Sequence, residues 1–336
     1  MNPGLKKIIR YVGVILLTGL LLWIAFGNIK LGFISNTWDK ASKPYLILSA
    51  LIALLSHYVR AQRWKLLLKP IGYPLKFSHS FMSVMVGYFV NLVIPRGGEF
   101  SRCYNLFKLN QTPVNISFGS VVSERIIDLF FLLVLIGSVF LVQLDIFIDF
   151  FASLHWNQNS IERDISLSGY LLLGFMLIIP FLFILYYRIR KYQSLKIIFK
   201  VKIFLVGIKA GVFSILKLEK RGLFILYSLF IWLCYYLMNY FVMQAFPATS
   251  ELDLLAALTI FVIGGIALAI PLPGGAGSYH LLVSAGLTFI YGVANDHAVA
   301  FSVIVHAWQT LVIIVVGAGS LILSQLYYKT RQNEFS

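Results

Sequence analysis

Carboxylates are scarce in this chain: Asp and Glu number 13 among 336 residues, against 28 Lys and Arg. Charged residues of both signs make up only 12% and mean hydropathy is +0.85, which excludes a water-soluble globular domain with an ionised surface. Cysteine is nearly absent. Cys103 and Cys234 have no second Cys or His at ligand spacing, so neither a disulfide framework nor a zinc site is expected, and no other metal or cofactor is implied. A small-residue cleavage signal is also missing. The N-terminal apolar run, which follows Lys6, Lys7 and Arg10 and reaches Phe26, therefore reads as a retained first span rather than a signal peptide.

What fills the chain instead is apolar sequence, in runs long enough to cross a hydrocarbon core about 30 Å thick. The reading is an all-α polytopic membrane protein with about six full spans, at 8–27, 44–60, 117–142, 167–187, 222–246 and 297–325. The net charge of +15 resembles a nucleic-acid signal, but its distribution argues otherwise. With the N-terminus inside, the outer loops 28–43, 143–166, 247–253 and 292–296 hold four cations and eight acids, which leaves 24 cations and five acids inside or within the membrane. That asymmetry is the positive-inside pattern. It implies a multi-pass protein of the cytoplasmic membrane with both termini cytoplasmic, and no nucleic-acid partner.

Two stretches break the apolar pattern: Ile94-Pro95-Arg96-Gly97-Gly98-Glu99 and Leu272-Pro273-Gly274-Gly275-Ala276-Gly277. Irregular backbone at membrane depth is tolerated only where protein buries it or a wet cavity meets it. If 78–94 crossed fully, the acidic loop with Asp145, Asp149, Glu162 and Asp164 would be cytoplasmic, and the Arg188 to Lys202 stretch external. Both reverse the charge rule, so 78–109 reads as a re-entrant hairpin entering from the cytoplasm. For the second break, spacing decides. Spans 44 and 117 begin 51 residues before and 22 after Pro95, and spans 222 and 297 begin 51 before and 24 after Pro273. The matched plan implies an inverted repeat with a second hairpin over 252–291.

The resulting organisation is a first span and outer loop (1–43), a first repeat (44–142), an intervening stretch (143–221), a second repeat (222–325) and a cytoplasmic tail (326–336). The intervening stretch comprises the acidic loop, a span and a basic segment, 188–221, with ten Lys or Arg and one Glu. This last segment reads as an amphipathic helix, or two, at the cytoplasmic interface.

Ionisable residues inside the membrane are costly and mark functional positions. Glu124, Arg125 and Asp128 fall roughly 15 Å into the third span, with Glu124 and Asp128 one turn apart and Arg125 in reach of Asp128. With Arg96, Glu99 and Arg102 on the first hairpin, the first half assembles three cations and three carboxylates. Arginine forks suit phosphate oxygens. The second half offers His280 after the glycine turn and His306 on the last span, whereas His57, beside Arg60 and Arg63, reads as interfacial.

The ordered trio Pro95-Arg96-Gly97-Gly98-Glu99 with Arg102, Glu124-Arg125 with Asp128, and Pro271-Leu272-Pro273-Gly274-Gly275-Ala276-Gly277 resembles the lysylphosphatidylglycerol synthase transmembrane (flippase-like) family over nearly the whole chain. The resemblance implies a stand-alone lipid-translocating module without a synthase domain. His280 stands where that family usually has Glu. The expected activity is a flippase or translocase of a phosphate-bearing headgroup, a transporter rather than an enzyme. Its partners would be membrane lipids: a phospholipid, an aminoacyl-phospholipid or a polyprenyl phosphate. Arg96, Gly97, Gly98, Arg102, Arg125, Pro273, Gly274, Gly275 and Gly277 are the candidate headgroup contacts, and Glu99, Glu124, Asp128 and His280 the candidate proton-coupling or charge-balancing groups, with no catalytic residue assigned. The alternatives are an integral-membrane transferase that modifies a lipid headgroup, with Glu99 or Glu124 as base, or a small-anion secondary transporter.

Overall fold

The computed structural model describes residues 16, 18–25, 31–143 and 218–333, and every regular element among them is helical. The predicted span 167–187, the acidic loop and most of the basic segment 188–221 lie outside the described residues, as does most of the first span, of which 18–25 is helix. Nine helices follow: α1 (Leu31–Lys40), α2 (Lys43–Leu68), α3 (Phe77–Asn91), α4 (Gly98–Asn110), α5 (Val114–Val142), α6 (Arg221–Gln244), α7 (Leu254–Ala269), α8 (Ser278–Tyr291) and α9 (Asn295–Asn333). Four of them, α2, α5, α6 and α9, are long and apolar enough to cross a membrane. The chain is thus a helical membrane protein.

Local chemistry sets the helix limits. Pro44 sits in the first turn of α2, where its missing N–H costs nothing, and Pro70 follows the helix in a short 3-10 turn, Lys69–Ile71. Nothing in between breaks the helix. The helix therefore continues past the expected span end at residue 60 to Leu68, and His57, Arg60 and Arg63 lie on its buried face. Asp253 caps α7 by accepting from the Ala256 N–H at 2.7 Å. The stretch 28–43, expected as an outer loop, contains α1, which packs on α9, and α9 continues into the expected tail as far as Asn333.

Helices α2 and α6 pack along each other in antiparallel fashion. The Ser42 N–H donates to the Ala245 carbonyl at one end, Tyr45 stacks near Phe241, and Arg63 meets Ser228 at the other. This pair joins two cores. One gathers Trp64, Leu67, Val84, Cys103, Leu106, Val121 and Phe224 from α2 to α6, and the other gathers Leu46, Val242, Met243, Ile260, Val283, Leu287 and Phe301 from α2 and α6 to α9. Helices α2 and α6 thus each contribute one end to each core. Helix α3 packs against α9, and α7 against α5.

The two broken segments form helix–turn–helix pairs, α3–α4 and α7–α8. In the first, Asn91 at the end of α3 reaches across the turn, and its Oδ1 accepts from the Gly98 N–H at 2.7 Å, capping α4. Backbones touch there: a Cβ on Gly98 would stand 2.0 Å from the Gly87 carbonyl oxygen and 2.6 Å from Asn91 Cγ. The outer face of α4, with Phe100, Tyr104 and Phe107, is exposed, while Arg102, Cys103, Leu106 and Leu109 point inward. That polarity suits a helix with lipid on one side. Gly98→Ala is expected to cost about 1–3 kcal/mol or more by overpacking, whereas Gly119→Ala, with nothing within 4 Å of its Cβ position, is tolerated. Thermal unfolding of both variants in detergent checks the contrast.

Candidate functional site

The site begins on α2. Arg60 and Arg63, almost a turn apart, are 3% and 0% exposed, and both face α5. Arg60 Nη1 lies 3.0 Å from Asp128 Oδ2, and Arg63 Nη2 donates to Asp128 Oδ1 at 2.8 Å. Arg63 Nε stands 3.5 Å from Glu124 Oε1, while the other Glu124 oxygen accepts from Arg102 Nη1 of α4 at 2.7 Å. One carboxylate on α5 thus ties α2 to α4. Two further donors are taken by α6: Arg63 Nη1 donates to Ser228 Oγ at 3.0 Å and Arg60 Nε to the Tyr235 hydroxyl at 3.2 Å.

A second layer orients this network. The Arg102 guanidinium lies 3.7 Å over the Trp64 ring, and the Trp64 indole N–H donates to Ser120 Oγ at 2.8 Å. Planar stacking of this kind suits Arg and not Lys. His57, expected at the interface, is instead buried, with its ring 4.6 Å from that of Tyr88. The anticipated Arg125–Asp128 contact is also corrected. Asp128 is taken by the α2 arginines, and Arg125 Nη2 pairs with Glu99 Oε1 of α4 at 3.2 Å.

Between α3, α4 and α5 this arrangement leaves a cleft lined by Val84, Gly87, Tyr88, Asn91, Gly98, Glu99, Arg102, Val121 and Arg125. Three buried polar atoms on its walls have no hydrogen-bond partner among the described residues: Arg102 Nε, Arg102 Nη2 and Glu99 Oε2. Arg102 as a whole is only 5% exposed, whereas the Arg125 side chain is 45% exposed at the mouth. Buried polar atoms in native structures are nearly always satisfied, so the cleft is chemically unfinished. Its lining residues carry two spare guanidinium donors and a spare carboxylate acceptor.

The family described as Lysylphosphatidylglycerol synthase TM region matches residues 11–317. The chain belongs to this family. It is 26% identical to a UPF0104 membrane protein of Methanothermobacter thermautotrophicus over 295 residues, covering 81% of each chain. It is also 32% identical to a UPF0104 membrane protein of Methanocaldococcus jannaschii over 138 residues, covering 39% of this chain and 41% of that relative's length. No solved structure matches.

Within this lysylphosphatidylglycerol synthase TM member, the structure unites most of the first-half candidates and separates two groups from them. Arg102, Glu124 and Asp128 join the α2 arginines in one network, the Glu99–Arg125 pair stands beside it, and Gly98 lines the cleft between them. Arg96 leaves it. Held at a left-handed φ of 57°, Arg96 is exposed and its Nη2 donates to the Ala269 carbonyl at the end of α7, 3.1 Å away. Gly97 packs against Ile94 in the turn itself.

The second turn, Pro273–Gly275, meets the first, since a Cβ on Gly274 would stand 3.3 Å from Leu92 Cδ2. Gly274, Gly275 and Gly277 all have positive φ, and Gly277 lies against Thr18 and Leu21, where a Cβ would be 2.7 Å from the Leu21 Cβ. His280 turns back to its own helix start, its Nδ1 accepting from the Gly277 N–H at 3.2 Å. Its ring is 4.7 Å from that of His306, whose Nε2 lies 2.9 Å from the Gly274 carbonyl oxygen. These imidazoles are engaged with the second turn rather than with the cleft.

Arg60, Arg63, Trp64, Ser228 and Tyr235 were missed as site residues. The available signal was the spacing Ser56, Arg60, Arg63 and Leu67 on an uninterrupted helix, which is one face at i, i+4, i+7 and i+11. Removing one partner of a buried pair strands the other charge, so Arg63→Met is expected to cost about 3–5 kcal/mol. In a double-mutant cycle, Asp128→Asn is expected to cost less in the Arg63→Met background than in the wild type. Equilibrium unfolding in detergent supplies all four corners.

Proposed function

We propose that this chain is a lipid translocase of the cytoplasmic membrane, and that the cleft between α3, α4 and α5 receives the phosphate of a lipid headgroup. The carrying observation is the pair of unpartnered guanidinium nitrogens on Arg102, buried beside the ion pair between Glu99 of α4 and the half-exposed Arg125 of the spanning helix α5. A phosphate accepts from both groups in the charge-assisted geometry arginine favours. Glu124 and Asp128, each bridged to two arginines, serve as charge balance rather than proton carriers.

The helix lengths support the transport geometry. Helices α3, α4, α7 and α8 have 13 to 16 residues, or about 20–24 Å at 1.5 Å per residue, short of a ~30 Å core. Each pair is accordingly a re-entrant hairpin, the first from the cytoplasm and the second from outside, with the turns touching near the midplane through Arg96 and Ala269. The reciprocal packing of α3 on α9 and α7 on α5, about the shared α2–α6 pair, supports an inverted repeat. Rocking of the two halves about that pair then opens the cleft to each leaflet in turn. Cytoplasmic termini follow from the charge distribution. Arg96 acts in this scheme as a contact between the halves, and His280 as packing for the second turn.

The test is headgroup movement in vesicles holding the full-length protein and a fluorescent phospholipid. Arg102→Lys keeps the charge opposite Glu124 but loses the fork and the stacking, and is expected to slow movement about tenfold or more. Phe107→Ala, on the exposed face of α4, leaves it unchanged. Normal movement with Arg102→Lys refutes the assignment, and a lipid of altered mass after incubation points to the transferase instead.

A further inference from the structure

The charge count of the site defines its ligand more narrowly than phosphate. Four guanidiniums face three carboxylates around the cleft: Arg60, Arg63 and Arg102 share Glu124 and Asp128 in one chain of ion pairs, and Arg125 is matched by Glu99 in a separate pair beside it. Arg96 is not part of the sum, because its guanidinium is turned to the Ala269 carbonyl across the junction of the two turns. Tyr88 and Asn91 add polar groups to the cleft wall without charge. One positive charge is left over in the chain of three arginines and two carboxylates, and of those arginines Arg102 is the one that lines the cleft.

Away from water, charge that is not matched is penalised from both sides. A dianionic phosphomonoester over-fills a site with one spare positive charge, and it brings its second charge against Glu99, whose Oε2 is buried in the same cleft. A headgroup with no net charge leaves the surplus guanidinium uncompensated. We infer that the site selects a lipid with one net negative charge, a phosphodiester whose headgroup substituent is itself uncharged. This rests on the translocase reading and sets the substrate class within it.

Variants that change the count in opposite directions provide the test. The full-length protein is reconstituted in vesicles containing acyl-labelled phosphatidylglycerol (one negative charge), phosphatidic acid at pH 8 (two) or phosphatidylcholine (none), and movement is read by chemical quenching from outside. Wild type is expected to move phosphatidylglycerol about tenfold faster than either of the others, the ratio that one unmet partner brings. Glu99→Gln leaves two positive charges unmatched and shifts the ratio towards phosphatidic acid. Arg125→Gln leaves none and shifts it towards phosphatidylcholine. A merely structural role for either residue slows all three lipids together. Equal movement of the three lipids by wild type, or a shift of both variants in one direction, overturns the inference while leaving translocation standing. No movement of any lipid overturns both.

Discussion

A guanidinium taken out of water has to be met by a carboxylate, and in this protein Glu124 meets two. With one oxygen towards Arg63 of α2 and the other on Arg102 of α4, this fully buried side chain on α5 fixes three helices relative to one another. Asp128, one turn further on, repeats the device with Arg60 and Arg63. Hydrophobic packing alone specifies helix contacts loosely in a bilayer, since lipid tails are as apolar as leucine. A charge network specifies register, because any slip strands an ion.

The rest of the architecture follows from that constraint. Serines accept from two donors around the network, Ser228 from Arg63 and Ser120 from Trp64, and small residues let helices approach where the network draws them together. Gly87 against Gly98 brings α3 and α4 into backbone contact, and Gly317 does the same between α9 and α3, where a Cβ would stand 2.7 Å from that of Phe89. The cleft is what this close packing leaves between α3, α4 and α5. Arg102 belongs to both worlds: one nitrogen holds Glu124, while the residue lines the cleft with two nitrogens that have no hydrogen-bond partner among the described residues.

The chain's punctuation was legible at the start. Pro and Gly at 95–98 and 273–277 marked the turns, and the helices around them run Phe77–Asn91, Gly98–Asn110, Leu254–Ala269 and Ser278–Tyr291, close to the hairpin limits read from hydropathy. The scarcity of acids also made Glu99, Glu124 and Asp128 visible. Long-range choices were not legible. Arg125 has Asp128 within helical reach yet pairs with Glu99, because arginines from α2 occupy Asp128, and no local rule contains that competition. Arg60 and Arg63 were read as the end of a span for the same reason: their partners lie 65 to 175 residues away. Arg96 looked like a ligand by its motif, but its left-handed backbone aims it at the other turn.

Membership of the lysylphosphatidylglycerol synthase TM family and the unfinished hydrogen bonding of Arg102 point the same way, towards a phosphate held inside the bilayer. The most direct measurement is an experimental structure in lipid nanodiscs. Phosphate density is expected about 3 Å from Arg102 Nε and Nη2, with the Arg60–Asp128–Arg63–Glu124 network intact beneath it. Both nitrogens engaged by a protein side chain, with lipid phosphates confined to the membrane surfaces, would contradict this.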